Sequence, residues 1–252
     1  MKAITWNCQG AASSNFLRAA KWLKSKHHPD ILYLVETKMF GHNADFVCTK
    51  FGFDKWARVE ALGFSGGIWI LWTDVLTIEV LNSHPQFVHL NITEASGRRN
   101  KVRVSNPWLI AGDFNAIVNE DECSNPENQG SHRNGDFRDW IFSEALIDLG
   151  YSGTKFTWRR GREEGTFKGA RLDRALCSMD WLDQMKDTKV YHLTAFGSDH
   201  YPIMIDLDSK KEKGITIFSS KVLGRAIGRS LISSNNIGTL RIRSGLTKMK
   251  WL

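Results

Sequence analysis

Short apolar runs of strand length are the feature of this sequence that most constrains its fold. The clearest are Ile31–Val35, Gly66–Trp72 and Trp108–Ala111, and polar or glycine-containing segments separate them. Continuous apolar runs this short are typical of strands that are buried on both faces of a sheet. No apolar run reaches the ~18 residues that a membrane-spanning helix needs, so we expect a globular domain rich in sheet.

The segments between these runs predict a few helices and further strands. A serine pair at 13–14 can cap a helix whose apolar face is Phe16, Ala20 and Leu23, and residues 137–148 favour another helix. Many strands with few helices predict an α/β (α+β) fold in which two packed sheets are flanked by helices. The further strands are predicted at 3–6, 76–81, 87–93, 156–158, 172–177, 190–194 and 203–207.

The net charge of +7 is unevenly distributed along the 252 residues. Residues 209–252 contain ten Lys or Arg and one acid, a net of +9, whereas residues 1–208 carry −2. We therefore predict a domain over 1–208 and a basic, poorly ordered tail over 209–252, whose apolar residues keep no regular period. The tail is expected to be dispensable for folding, and it is either simply solvated or a tether that attracts DNA.

Cysteine usage and the N-terminus bear on the cellular compartment. The four cysteines are widely spaced and form no CxxC pair, which predicts reduced thiols. Residues 1–7 lack the apolar core of a signal peptide. We expect an intracellular protein, in the nucleus or the cytoplasm, with no membrane partner.

Polar side chains of catalytic type lie at or just after the ends of several predicted strands. They are Asn7, Glu36, Asp113, Asn115, Asp173, Asp199 and His200. Taken singly, each also fits an ordinary structural role such as a turn, a cap or a salt-bridged rim. A carboxylate at a buried strand end is costly unless it is paired or binds a metal, and oxygen ligands favour Mg²⁺, Mn²⁺ or Ca²⁺. A histidine beside an aspartate suits proton transfer or charge stabilisation.

Five short motifs, in sequence order, resemble those of the endonuclease/exonuclease/phosphatase superfamily. They are Thr-Trp-Asn-Cys-Gln-Gly at 5–10, Leu-Val-Glu-Thr-Lys at 34–38, Ala-Gly-Asp-Phe-Asn at 111–115, Arg-Leu-Asp-Arg at 171–174 and Gly-Ser-Asp-His-Tyr-Pro at 197–202. Together with Phe-Thr-Trp at 156–158, they resemble in particular the endonuclease domain of plant LINE-type retrotransposons. The resemblance implies a four-layer sandwich of two mostly antiparallel sheets flanked by helices, and divalent-metal-dependent hydrolysis of phosphodiesters.

The resemblance also implies which residues bind metal and substrate. Glu36 would be the principal ligand of a Mg²⁺ or Mn²⁺ ion, Asn7 would support the metal or the phosphate, and Asp199 would lie near a second metal position. The substrate would be DNA, and the reaction would be endonucleolytic nicking.

Four residues would carry the chemistry if the resemblance holds. Asp113 would position or activate the attacking water, and Asn115 would hold Asp113 and contact the phosphate. His200 would bind the scissile phosphate and stabilise its charge, and Asp173 would fix the orientation of His200.

A basic run over residues 158–174 opens with Trp158 and continues with Arg159 and Arg160. An aromatic side chain beside arginines can grip a phosphate backbone, so these three residues are candidates for substrate binding. The alternative, an exposed hairpin tip without such a role, stays open. We also expect a monomer with no obligate protein partner.

One interval departs from the family pattern. Only residues 94–106 lie between the strand predicted at 87–93 and Trp108, where we expect a further strand and helix with a Tyr-containing motif. Such a unit takes roughly 20–30 residues, so one strand–helix unit is predicted to be missing. Loss of a central strand would force the sheet to re-pair or leave a hole. Two alternatives to an active DNA endonuclease therefore stay open: a catalytically impaired remnant, and a phosphodiesterase or phosphatase that acts on a phospholipid.

Overall fold

The computed structural model describes residues 1–94, 107–125, 131–161, 163, 165–194, 197–207 and 215–221 of the chain. For residues 131–133 and 215–221 it describes the backbone only. Most of the described strands belong to two large sheets.

The first sheet carries both the N-terminal strand and the strand that follows His200. In spatial order its described strands are β3 (Lys55–Leu62), β4 (Ser65–Trp72), β2 (Ile31–Val35), β1 (Lys2–Asn7), β14 (Ile203–Asp206), β13 (Lys189–His192) and β9 (Ser152–Gly153). Strands β1 and β2 are parallel, with Asn7 opposite Val35, so both end at the same edge of the sheet. Strand β14 runs antiparallel to β1, with Ile203 opposite Thr5, so it begins at that edge.

The second sheet is built around a strand that ends in Asp113. In spatial order its described strands are β5 (Leu76–His84), β6 (Phe87–Glu94), β15 (Ile215–Lys221), β7 (Trp108–Asp113), β12 (Asp173–Cys177) and β8 (Ile147–Asp148). A separate hairpin pairs β10 (Trp158–Arg160) with β11 (Lys168–Ala170).

Local sequence explains how the first helix begins and ends. The described α-helices are α1 (Ser14–His27), α2 (Gly41–Thr49), α3 (Ser131–Ser143) and α4 (Met179–Gln184). Ser13 caps α1, because its Oγ accepts a hydrogen bond of 3.1 Å from the backbone N–H of Phe16. The helix ends at His27, because the capping residue His28 adopts the left-handed conformation directly before Pro29.

The two sheets stack face to face, and helices cover their outer faces. Between the sheets lie apolar side chains from both, including Val35, Ile70, Leu90 and Leu109. Against the outer face of the first sheet pack α1 and α2, through Phe16, Leu23, Ala44 and Cys48. Against the outer face of the second sheet packs α3, through Phe137 and Trp140. This order of helix, sheet, sheet and helix confirms the predicted four-layer sandwich.

The strand predicted to be missing has its place filled from the C-terminal part of the chain. Strand β15 runs antiparallel to β6 and parallel to β7, with Ile217 opposite both Leu90 and Leu109. Without it, β6 and β7 would each present unpaired backbone N–H and C=O groups inside the sheet. For 215–221 the structure therefore differs from the irregular tail that we expected. The rest of 209–252, like 95–106, lies outside the described residues, and the domain boundary at 208 stays a prediction.

One predicted helix is shorter than expected at its C-terminal end. Residues 137–148 were expected to be helical, but α3 ends at Ser143 and Ile147–Asp148 pairs with β12 as strand β8. Ala145 has a φ of 49°, a left-handed conformation that cannot continue a right-handed helix.

Two further sequence expectations concern the thiols and the membrane. All four cysteines are buried and free, in agreement with the predicted reduced thiols. Within the described ranges, no helix is both long and apolar enough to cross a membrane.

Truncation tests whether strand β15 contributes to the stability of the folded domain. We expect a chain that ends at residue 222 to keep cooperative thermal unfolding, whereas a chain that ends at residue 208 loses it. The reason is that removal of β15 leaves the ladders of β6 and β7 without a partner. Far-UV circular dichroism and gel filtration of the two chains measure the effect. Equal melting temperatures would contradict a structural role for β15.

Candidate active site

Two carboxylates face each other across neighbouring strands of the second sheet. Asp113 is the last residue of β7 and lies directly opposite Asp173, the first residue of β12. Both side chains are buried. Like charges that face each other on adjacent strands repel, so this pair requires a proton or a positive charge nearby.

His200 supplies that charge from the loop before β14. Its Nδ1 lies 3.0 Å from Asp173 Oδ2, and its Nε2 lies 3.9 Å from Asp113 Oδ2. An ionised carboxylate only accepts hydrogen bonds, so Nδ1 is the donor to Asp173. The backbone of His200 is held as well, because its carbonyl accepts from Trp6 Nε1 and its N–H donates to Ser198 Oγ.

The electrostatics of the three groups follow from this geometry. Burial by itself lowers the pKa of His200, but the charges of Asp173 and Asp113 outweigh burial and raise it to about 9. Burial raises the pKa of Asp113 to about 6, and the charge of Asp173 acts in the same direction. A protonated His200 thus balances part of the negative charge that the two aspartates bring together.

Asp113 is oriented by amide donors from both sheets. Its Oδ2 accepts from Asn7 Nδ2 and from Asn115 Nδ2, each at 2.9 Å, and its Oδ1 accepts from the backbone N–H of Asn115 at 2.8 Å. Asn7 ends β1 in the first sheet, so its bond to Asp113 ties the two sheets together at this edge. Ser198 completes the link, since its Oγ donates to the carbonyl of Asn7 at 2.8 Å.

Glu36 lies at the same edge, directly after β2. It follows Val35, which pairs with Asn7, and it adopts a left-handed backbone conformation with a φ of 57°. Its Oε1 accepts from the N–H of Gly66 at 3.1 Å, and its Oε2 lies 3.9 Å from Lys38 Nζ. The side chain is buried, and the cation of Lys38 lies beside this carboxylate at the edge of the sheet.

The donor set suits a divalent metal ion. In the described part of the chain, Asp113, Asp173 and His200 offer ligand atoms within 4.8 Å of one another, a group that excludes Glu36 and Asp199. Glu36 and Asp199 add two further carboxylates at the same edge, Glu36 directly after β2 and Asp199 directly before His200. Carboxylate and amide oxygens with a single imidazole match the ligand preference of Mg²⁺ and Mn²⁺ rather than that of zinc, so these residues fit such an ion.

A hairpin holds Asp199 beside the three buried groups. Trp158 Nε1 donates to Asp199 Oδ2 at 3.0 Å, and the N–H of Arg159 donates to the carbonyl of Asp199 at 2.9 Å. Trp158 also forms an isolated bridge with His200. The guanidinium of Arg159 lies over the ring of Tyr201, whereas Arg160 is exposed. Trp158 and Arg159 are thus next to the site, and Arg160 is accessible beyond them.

Two arginines of the basic run point inward. Arg171 and Arg174 flank Asp173 in sequence, and both pair with the same two acids, Glu122 and Asp148, at 2.7–2.9 Å. Burial favours a neutral Glu122, but Arg174 and Arg171 hold its pKa below the ordinary value. Both arginine side chains are buried, so neither is available to a substrate backbone.

The structure also brings in residues that the sequence did not single out. Trp6 and Ser198 hold the backbones of His200 and Asn7, and Lys38 lies beside Glu36. All three lie inside the motifs at 5–10, 34–38 and 197–202, which is the signal that could have found them. Their hydrogen-bond partners are distant in sequence, so the motifs did not reveal the roles.

Comparison with known proteins gives one family match. A family model described as "Endonuclease/Exonuclease/phosphatase family" matches residues 4–200 of the chain. A comparison with curated protein sequences finds no match.

Solved structures share the fold. A Neisseria 3′ phosphatase bound to a product DNA hairpin is 18% identical, with a TM-score of 0.56, over 82% of this chain and 99% of that one. The endonuclease domain of TRAS1, a telomere-specific non-LTR retrotransposon, is 13% identical, with a TM-score of 0.57, over 83% and 99%. An AP endonuclease from Archaeoglobus fulgidus is 15% identical, with a TM-score of 0.59, over 82% and 99%. At these identities the likeness shows the fold.

The ion network around Glu122 gives a stability prediction. We expect Glu122→Ala to lower the free energy of unfolding by about 3–5 kcal/mol, because it leaves Arg171 and Arg174 buried with one acid between them. Glu120→Ala, at an exposed position of the same turn, is the control and should stay within about 0.5 kcal/mol. Urea denaturation of the three proteins measures both values. If Glu122→Ala lowered the free energy of unfolding by as little as the control does, the ion network would not have the predicted stabilising role.

Proposed function

The chain belongs to the endonuclease/exonuclease/phosphatase family, and from this premise we propose that it is a divalent-metal-dependent DNA endonuclease. The family match supports metal-dependent hydrolysis of phosphodiesters, and nicking of DNA is the finer proposal. The observation that carries it is the placement of His200 between Asp113 and Asp173, at the edge where Asn7 and Glu36 also lie.

His200 and the two asparagines are the groups that would receive the scissile phosphate. A protonated imidazole with a fixed ring offers a preorganised positive charge to the phosphate oxygens, where charge develops during the reaction. Asp173 holds the ring through Nδ1, which leaves Nε2 on the side of Asp113. Asn7 and Asn115 would add amide donors to the phosphate.

Asp113 is the group that would orient and deprotonate the attacking water. Three N–H donors fix its carboxylate, so the direction in which it can accept a proton is set before substrate binds. His200 Nε2 lies 3.9 Å from Asp113 Oδ2, so the proposed proton acceptor and the proposed phosphate contact would be side by side. That arrangement matches what hydrolysis of a phosphodiester requires of protein side chains.

Glu36 would hold the metal ion, with Asn7 in support and Asp199 near a second position. A bound Mg²⁺ or Mn²⁺ supplies charge for the phosphate and lowers the pKa of water. The buried position of Glu36 and the hydrogen bond that its Oε1 accepts from Gly66 would keep the carboxylate fixed at the edge where the phosphate would lie.

Two independent observations favour DNA as the substrate. A solved neighbour with the same fold was determined with a product DNA hairpin. In this chain, the β10–β11 hairpin offers Trp158, Arg159 and the exposed Arg160 directly beside the site. An aromatic residue with adjacent arginines suits a nucleic-acid backbone better than a lipid headgroup of limited length.

The metal requirement tests the proposal most directly. We expect nicking of supercoiled plasmid in Mg²⁺ or Mn²⁺ and none in EDTA. Glu36→Ala should abolish activity, because it removes the main ligand, and His200→Ala should lower the rate by about 10²–10³. Lys189→Ala is the control, since Lys189 is exposed and begins β13 at the opposite edge of the first sheet, beside Asp206 and Lys2.

Other outcomes of the same assay identify the alternatives. Cleavage that persists in EDTA would contradict a metal-dependent mechanism. A folded protein that cleaves no DNA but releases phosphate or a phosphorylated headgroup from phospholipid vesicles would favour the lipid substrate. A folded protein inactive on both would favour the impaired remnant.

Arg160 provides a test of how DNA is held. We expect Arg160→Ala to weaken binding to duplexes of any sequence and to reduce the slope of log affinity against log salt by about 1, the effect of one phosphate contact. Lys189→Ala should leave the slope unchanged. Fluorescence anisotropy at several salt concentrations, in Ca²⁺ to prevent turnover, measures both slopes. Equal slopes for Arg160→Ala and the unmutated chain would exclude this contact.

A further inference from the structure

Thr157 lies directly before the hairpin strand β10 and is completely buried. Its backbone N–H donates to the carbonyl of Ala170 at 3.0 Å, which anchors it to the other strand of the hairpin. No described hydrogen bond joins it to Asp113. Its position nevertheless connects it to both members of the pair formed by His200 and Asp173.

The hydroxyl of Thr157 holds the strand that carries Asp173. Its Oγ1 accepts from the backbone N–H of Leu172 at 3.0 Å and from the backbone N–H of Asp173 at 2.9 Å. A single oxygen thus satisfies two consecutive N–H groups where β12 begins. A buried N–H without an acceptor costs free energy, so removal of this oxygen would make the start of β12 move to find other partners.

The backbone carbonyl of Thr157 holds the segment that carries His200. It accepts from the N–H of Tyr201 at 2.6 Å, and the next residue, Trp158, forms the bridge with His200. Thr157 therefore binds the chain on both sides of the contact between His200 Nδ1 and Asp173 Oδ2. One segment leads into the first sheet and the other into the second, and within the described residues no strand ladder joins the two.

We propose that Thr157 is a positioning residue for the reaction, whose hydroxyl sets the placement of Asp173 against His200. This inference rests on the proposed function, because it assigns a role to Thr157 in the same site. Its hydroxyl acts on the reaction only through Asp173. It follows that a change of the hydroxyl matters while Asp173 is present and has no effect on the rate once Asp173 is removed.

A double-mutant cycle tests this dependence. Thr157→Val keeps the shape of the side chain but removes the acceptor, and Thr157→Ser keeps the acceptor. We expect Thr157→Val to lower kcat for plasmid nicking by about 10- to 100-fold, the range typical of residues that orient a reacting group through hydrogen bonds. The KM should stay within about twofold, and Thr157→Ser should restore most of kcat.

The second arm of the cycle separates positioning from general stability. In an Asp173→Ala background, Thr157→Val should change kcat less than about twofold, because the group through which it acts is gone. An equal loss of kcat in both backgrounds would overturn the proposal and indicate a structural role. If Thr157→Val does not fold, Thr157→Cys replaces it, since its sulfur is a weak acceptor of similar size.

A spectroscopic readout keeps this test independent of nuclease activity. In protein with ¹⁵N-labelled histidine, the Nδ1–H proton of His200 should give a strongly downfield NMR signal because it is bonded to Asp173. We expect this signal to persist in Thr157→Ser and to be lost or shifted upfield in Thr157→Val and Asp173→Ala. An unchanged signal in Thr157→Val would refute the positioning role. If the unmutated chain nicks no DNA, the proposed function fails, while the signal still decides the role of Thr157.

Discussion

The facing carboxylates of Asp113 and Asp173, with His200 between them, are the interaction on which the site depends. The register of β7 and β12 places the two aspartates directly opposite each other, where their charges repel. His200 relieves this repulsion by contact with both, and amide donors from Asn7 and Asn115 share the charge of Asp113. A cluster of this kind is stable only when every partner is in place, which is why so many bonds converge on it.

A second set of charges supports the strand that carries Asp173. Arg171 and Arg174 are neutralised by Glu122 and Asp148, and together the four side chains carry no net charge. The network joins the turn after β7, strand β8 and the start of β12. Buried ion pairs contribute little over an apolar core, but the loss of one member is costly, so the network holds these elements in a defined arrangement.

Strand β7 depends on its neighbours on both sides. Strand β12 pairs with it on one side and β15 on the other, and Lys221 at the end of β15 lies opposite Asp113. A segment from the C-terminal part of the chain thus borders the strand that carries a central residue of the site. Without β15, this edge of β7 would lack a described partner strand, and β15 supplies the backbone hydrogen bonds there.

The sequence by itself determined what local physics controls. Ser13 predicts the start of α1, the apolar run at 31–35 predicts a strand, and the polar residues after the strands mark the site, because each signal depends on neighbours within a few residues. The tertiary structure decided what depends on distant partners. Ile147–Asp148 forms a strand because it pairs with β12. Glu122 and Arg174 are buried because they form an ion pair with each other. Residues 215–221 form a strand because they pair with β6 on one side and β7 on the other. A hydrogen bond or ion pair between residues far apart in sequence leaves no periodic trace, so only the folded chain shows which polar residues are partners and which are free to bind a substrate.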